Sequence, residues 1–147
     1  TPALASAIVW FDAFIMNVDR TPKNPNLLVW HNKLWMIDHG AAIYVHHSWN
    51  DPVRVARGRF PMTAEHVLLP FATEIETAAA RLLPRITPAL IDHLLALVPE
   101  EWLATESDPF NDPDAHREAY RTFFRERIAH AEGFTEQAIA AQAGAVR

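Results

Sequence analysis

The 147-residue chain contains no cysteine, only four glycines and only two lysines. Without cysteine there is no disulfide framework and no thiolate metal site, and a reducing compartment suits such a chain. The glycines, at positions 40, 58, 133 and 144, do not form the G-x-G-x-x-G spacing that lets a loop close over phosphates. Basic charge is not in excess either. Thirteen Lys and Arg against 18 Asp and Glu leave a formal net charge of −5, so there is no electrostatic footprint for tracking a nucleic-acid backbone. No apolar run reaches the ~20 residues that span a bilayer. The most apolar stretch, Leu4 to Met16, is interrupted by Asp12, and it has neither a basic lead-in nor a small-residue cleavage site. These absences predict a cytoplasmic protein with no membrane span and no nucleic-acid partner.

Half of the chain is apolar, enough for a single domain over residues 1–147 with its own core. Thr1-Pro2 has the form of an N-cap followed by proline at the first helical position, and Leu4, Ile8, Phe11 and Ile15 recur at helical spacing. A helix is expected from about Pro2 to Met16, and Ala7, Val9, Trp10 and Phe14 make its other faces apolar, so it should be buried on most sides. Asn17 to Pro25 reads as an ordered loop. Leu27 to Trp30 and Leu34 to Ile37 are two short apolar runs joined by His31-Asn32-Lys33, a β-hairpin whose two tryptophans predict burial on at least one face. The stretch from Gly40 to Phe60 has no readable period. Helical patterns follow at about 64–69, 72–83, 88–98, 114–131 and 135–143, with a short turn at 99–102 and prolines near most of their ends. The expected fold is mainly α with a small β-hairpin.

Chemistry concentrates in residues 17–40, "NVDRTPKNPNLLVWHNKLWMIDHG". Asp19 and Asn24 have the D-x-x-x-x-N spacing of a phosphoryl-transfer loop, although a loop Asp and Asn bonding their own backbone give the same pattern. A hairpin returns the chain beside its start, so Asp38, in Asp38-His39-Gly40, should come back close to Asn24. Magnesium takes oxygen ligands and keeps several waters, usually with one or two carboxylates and nucleotide phosphates, so one carboxylate and one amide oxygen would suit it.

Together, Asp19-Arg20, Asn24 and Ile37-Asp38-His39-Gly40 resemble the C-terminal lobe of the HipA-like kinases and, more distantly, the phosphoinositide kinases. The resemblance is strongest over residues 12–49. It implies a kinase-like C-lobe and Mg-ATP-dependent phosphoryl transfer to a hydroxyl acceptor, a protein Ser/Thr or a small molecule. Carried residue by residue, it makes Asp19 the catalytic aspartate, with Lys23 within reach of a phosphate. It makes Asn24 and Asp38 the residues that hold magnesium and, through it, ATP. Asn26 is a rival for the amide role because Pro25 could offset the register. Thr21 stands where these relatives usually have histidine, and His39 replaces a phenylalanine. The kinase N-lobe supplies a Gly-rich cover and a strand lysine, whereas Lys23 and Lys33 lie in or beside the hairpin. The chain is therefore expected to be a fragment that needs an N-lobe in cis or in trans. The alternatives are a non-catalytic binding or regulatory domain on the same scaffold, and a metal-dependent hydrolase using Asp38 with nearby histidines.

The remaining polar residues have plainer readings. His46 and His47, if on a strand, would point to opposite faces and would not share an ion. Tyr44, His46 or Trp49 could line an acceptor groove, or could simply pack. Asp12, the lone charge on an apolar helix, is expected to brace the loop or a helix end, because a buried carboxylate needs partners. Arg20 is expected to pair with Asp38 or another carboxylate. Trp102, Phe110, Tyr120, Phe123 and Phe124 should be core. Arg117, Arg121, Arg125 and Arg127 should fall mostly on a solvated helix face.

Overall fold

The computed structural model describes residues 1–103, 109–110 and 112–145. Helix α1 spans Pro2–Phe14, with the Thr1 hydroxyl accepting from the Leu4 amide at 3.3 Å, as a cap should. It ends two residues short of expectation because Met16 turns left-handed, at φ 54°, and the Asn17 N–H donates back to the Asp12 carbonyl at 2.9 Å. Strands β1, Leu27–Trp30, and β2, Lys33–Met36, pair antiparallel, with Leu27 opposite Met36 and Trp30 opposite Lys33. Their turn is only two residues long. His31 and Asn32 both have positive φ, 48° and 56°, the geometry whose twist matches a hairpin, so Lys33 belongs to the strand rather than the connection.

The hairpin corrects one expectation: its apolar side chains are largely exposed. Val29 is 71 % accessible, Trp30 59 % and Trp35 47 %. Only Leu27 and Met36, at the end nearest the loop, are half-buried, because the helices pack chiefly on one another and leave both sheet faces open. Leu34 lines an apolar groove of about 450 Å³ with Leu4 and Ile8 of α1 and with Leu68 and Phe71.

The unassigned stretch contains a 3-10 turn, Tyr44–His47, and helix α2, Pro52–Arg57, capped by the Asp51 side chain. His46 and His47 therefore sit on a helical turn, not a strand. Where a helix over 64–69 was expected there are two 3-10 turns, Pro61–Glu65 and Leu69–Phe71, each with a proline among its first residues. Then come α3, Ile75–Leu82; α4, Pro88–Ala96; a 3-10 turn, Glu100–Trp102; α5, Pro113–Ala129; and α6, Ala131–Ala145. The fold is mainly α with one small hairpin. No helix among the described residues is long and apolar enough to cross a membrane.

Helix α1 is the central element and packs against α3 and α6. Trp10 and Phe14 stack with centroids 5.8 Å apart, and both meet Phe134 of α6. The Trp10 indole N–H, which needs a partner once buried, donates to Thr135 Oγ1 at 2.9 Å. A second cluster joins Val45, Trp49, Ala56 and Phe123, with Phe110, Tyr120 and Phe124 against it. Trp49 is thus a core residue, while Trp102, expected in the core, is 72 % exposed.

Arg127 departs furthest from expectation. It is fully buried, and its guanidinium donates to the carbonyls of Ala13 and Phe14 at the end of α1 and to those of Ala56 and Gly58. It also lies 4.0 Å from the centre of the Phe134 ring. Burial pulls its pKa down to about 10, which still leaves it charged near neutral pH. A cation at a helix C-terminus complements the carbonyls that the helix leaves unbonded.

Candidate active site

The site grows from the point where α1 ends. Asp12, in the last turn, is 1 % exposed and accepts from Arg20 Nε at 2.5 Å, His66 Nε2 at 2.9 Å and Asn17 Nδ2 at 3.1 Å. Burial alone would raise its pKa, but these hydrogen bonds, from His66, Arg20 and Asn17, and the Arg20 charge outweigh it and hold the carboxyl below its ordinary value. The bracing role expected for Asp12 is therefore met. Arg20 pairs with Asp12, not with Asp38.

Arg20 is fully enclosed, and its other amino groups reach both ends of the hairpin. Nη1 donates to the Asn26 carbonyl, and Nη2 meets His39 Nε2 at 3.0 Å. A guanidinium can only donate, so His39 Nε2 is the acceptor and its ring proton sits on Nδ1. The backbone closes the same arrangement. Ile43 N–H donates to the Ile15 carbonyl at 2.7 Å, and Ile37 N–H to the Asn26 carbonyl at 3.0 Å. The hairpin's far end is thus returned to the loop that precedes it.

Within the loop, Thr21 and Asn24 exchange backbone hydrogen bonds at 3.1 Å each way, forming a tight turn over Pro22-Lys23. That turn carries the Asn24 side chain back to Asp19, whose Oδ2 accepts from Asn24 Nδ2 at 2.7 Å and from Asn26 Nδ2 at 3.4 Å. Asn26 also reaches the Asp38 carbonyl at 3.5 Å. The contact between loop and returning strand therefore runs through Asn26 rather than Asn24. Asp19 Oδ1 and both amide oxygens accept no hydrogen bond among the described residues, which leaves them available to a ligand. Asp38 is exposed and left-handed, at φ 51°. Lys23 is exposed at the crest of the turn and makes no hydrogen bond or ion pair among the described residues.

The Asp19 carboxylate and the two amides gathered on it offer hard oxygens, and Asp38, whose carbonyl meets Asn26, carries a second carboxylate at the returning strand; hard oxygens suit magnesium rather than a softer metal. Among the described residues no three His, Asp or Glu side chains converge on a metal position. An ion completed by phosphate oxygens and water needs no such cage.

A family model described as HipA-like kinase matches residues 1–134, from the start of α1 into α6. The chain belongs to the HipA-like kinase family. No similar curated protein and no similar solved structure was found. For a HipA-like kinase a kinase-related function follows, and with it the general use of ATP and a divalent cation. The match includes the loop, the hairpin and the helices that brace them, so Asp12, Arg20 and Arg127 lie within the HipA-like frame. Sequence reading did not reach His66 or the burial of Arg127. His66 lies 54 residues from Asp12, and Arg127 113 from Phe14, with no local pattern to connect them.

Proposed function

We propose that the chain carries the catalytic and metal-binding half of a Mg-ATP-dependent phosphotransferase acting on a hydroxyl acceptor. What supports this reading most directly is the convergence of Asn24 and Asn26 on Asp19 Oδ2 while Asn26 also touches the Asp38 carbonyl. Asp19 then offers its remaining oxygen to the acceptor hydroxyl and takes the hydroxyl's proton as the acceptor oxygen bonds to the γ-phosphorus and the γ-phosphorus–oxygen bond to ADP breaks. Asn24 and Asp38 would hold the magnesium ion, and Asn26, which contacts both Asp19 and the Asp38 carbonyl, could take the amide role instead. Bound magnesium supplies charge neutralisation on the phosphates. Lys23, on a turn crest beside Asp19, faces a transferred phosphate. The Arg20 clamp keeps the loop and the returning strand in one register, so most of the catalysis is positioning. The phosphate cover of an N-lobe is supplied from outside these residues, in cis or in trans.

The test is transfer of labelled phosphate from Mg-ATP by the intact protein, with Asp19→Ala and Asp38→Ala beside it. Loss of a general base is expected to lower turnover by roughly 10²–10⁴-fold in Asp19→Ala. Asp38→Ala should abolish magnesium-dependent nucleotide binding. Asp19→Ala turning over like the unmutated protein, or nucleotide binding that ignores magnesium, overturns the reading.

A further inference from the structure

The geometry points to His66 as a positioning residue for phosphoryl transfer, acting on Asp19 and Asn26 through Asp12 and Arg20 without touching substrate. The inference rests on the phosphoryl-transfer reading of the same loop. His66 is 6 % exposed and lies just after the 3-10 turn Pro61–Glu65, far along the chain from the loop it serves. Its Nδ1 accepts from the Leu68 N–H at 3.0 Å, which places the ring proton on Nε2, the atom that meets Asp12 Oδ2 at 2.9 Å. The tautomer is thus fixed by the backbone of the segment that carries the ring, as second-sphere partners fix the histidines they orient.

Asp12 Oδ2 is shared between His66 and Arg20 Nε, so the position of the carboxylate depends on both donors. Arg20 in turn holds the Asn26 carbonyl and His39, the two flanks of the hairpin. A second tie runs beside the first, because the Val67 N–H donates to the Arg20 carbonyl at 3.0 Å. Removing the His66 donor leaves one lobe of a buried carboxylate unbonded, and the carboxylate and guanidinium are then free to re-pair. Arg20 directly follows Asp19, and its clamp ends on Asn26, so any such shift moves the general base and an amide oxygen together. Chemistry should suffer while nucleotide affinity changes little, because a misplacement of about 1 Å can already cost a positioned reaction about 10²-fold.

Two substitutions separate the functions of the ring. In His66→Gln the side-chain amide reaches the Nε2 position and can donate to Asp12. In His66→Asn the shorter amide can still accept from Leu68 but cannot reach Asp12. For the intact protein with Mg-ATP, kcat in His66→Asn is expected to fall about 10–100-fold with KM for ATP within about twofold, and His66→Gln to recover most of the loss. Independently of turnover, the Arg20 Nε–H proton resonance should exchange slowly in the unmutated protein and in His66→Gln and be lost in His66→Asn. A folded His66→Asn with unchanged kcat, or a His66→Gln no better than His66→Asn, overturns the role. So does failure of His66→Asn to fold, which would make the residue purely structural. Loss of transfer in Asp19→Ala alongside full turnover in His66→Asn rejects this inference and leaves the phosphoryl-transfer reading intact. If the unmutated protein transfers no phosphate, that reading falls and this role with it, whatever the Arg20 resonance shows.

Discussion

Among the described residues, eight non-glycine residues adopt positive φ, and all of them lie between Met16 and Asp51, whereas α1 and the described residues from Pro52 to Ala145 include none. The two regions hold their shape by different means. The helical frame is built on aromatic packing: Trp10, Phe14 and Phe134 contact one another, and each is at most 2 % exposed. The loop and hairpin have little apolar burial of their own. Their backbone is held by Asp12, Arg20 and the Asn17, Asn24 and Asn26 amides, and by ties such as Ile43 to Ile15. Left-handed conformations are unfavourable for most side chains, and for β-branched Ile43, at φ 52°, most of all. Such residues persist where surrounding contacts over-determine them, and they concentrate at functional sites. In this chain the frame provides the stability and the polar network converts it into geometry.

The comparison breaks first if the frame is not where stability resides. Trp10→Ala removes a fully buried indole and its bond to Thr135, and should lower the unfolding free energy by about 3–5 kcal/mol in urea titrations. A loss near that of an exposed residue would mean that the core has been misplaced.

A smaller effect should come from acid. The Asp12 carboxyl is lowered in the folded protein, so on acidification the unfolded chain takes up the proton first, and stability is lost as pH falls below the ordinary value of 3.8. Asp12→Asn should be less stable near neutral pH and should show a shallower acid dependence in unfolding curves measured from pH 6 downward. Identical acid slopes would show that the brace is not the group being titrated.

The smallest effect belongs to the hairpin. Trp30, 59 % exposed, should be replaceable by serine with a change within about 0.5 kcal/mol in the same titrations. A loss as large as that of Trp10→Ala would place the hairpin within the cooperative core and erase the distinction.

How far the sequence could be read follows the same division. The first helix, its Thr1 cap, the hairpin pairing and the long helices were legible, because each depends on spacing or on a capping residue within a few positions. The cluster of Asp19 and Asn24 was legible for the same reason: a four-residue turn over Pro22-Lys23 is a local event. The preference for Asn26 as the link to Asp38 was not, since it depends on where the returning strand comes to rest. The tryptophans of the hairpin misled because apolar composition gives a tendency to be buried, and only the arrangement of other elements decides whether anything covers them. The four arginines of α5 misled similarly. Helical periodicity gives the direction of Arg127 relative to its neighbours, yet four carbonyls from α1 and the α2 region make that direction the interior.

The sequence by itself determined the local pieces: a capped apolar helix, a loop that holds Asp19 and Asn24 a few residues apart, and a hairpin leading to Asp38. Tertiary structure alone decided which distant groups lock them, His66 on Asp12 and Arg127 on the end of α1. Hydrogen bonds across tens of residues depend on how helices pack, and nothing in the spacing of a single segment encodes that packing.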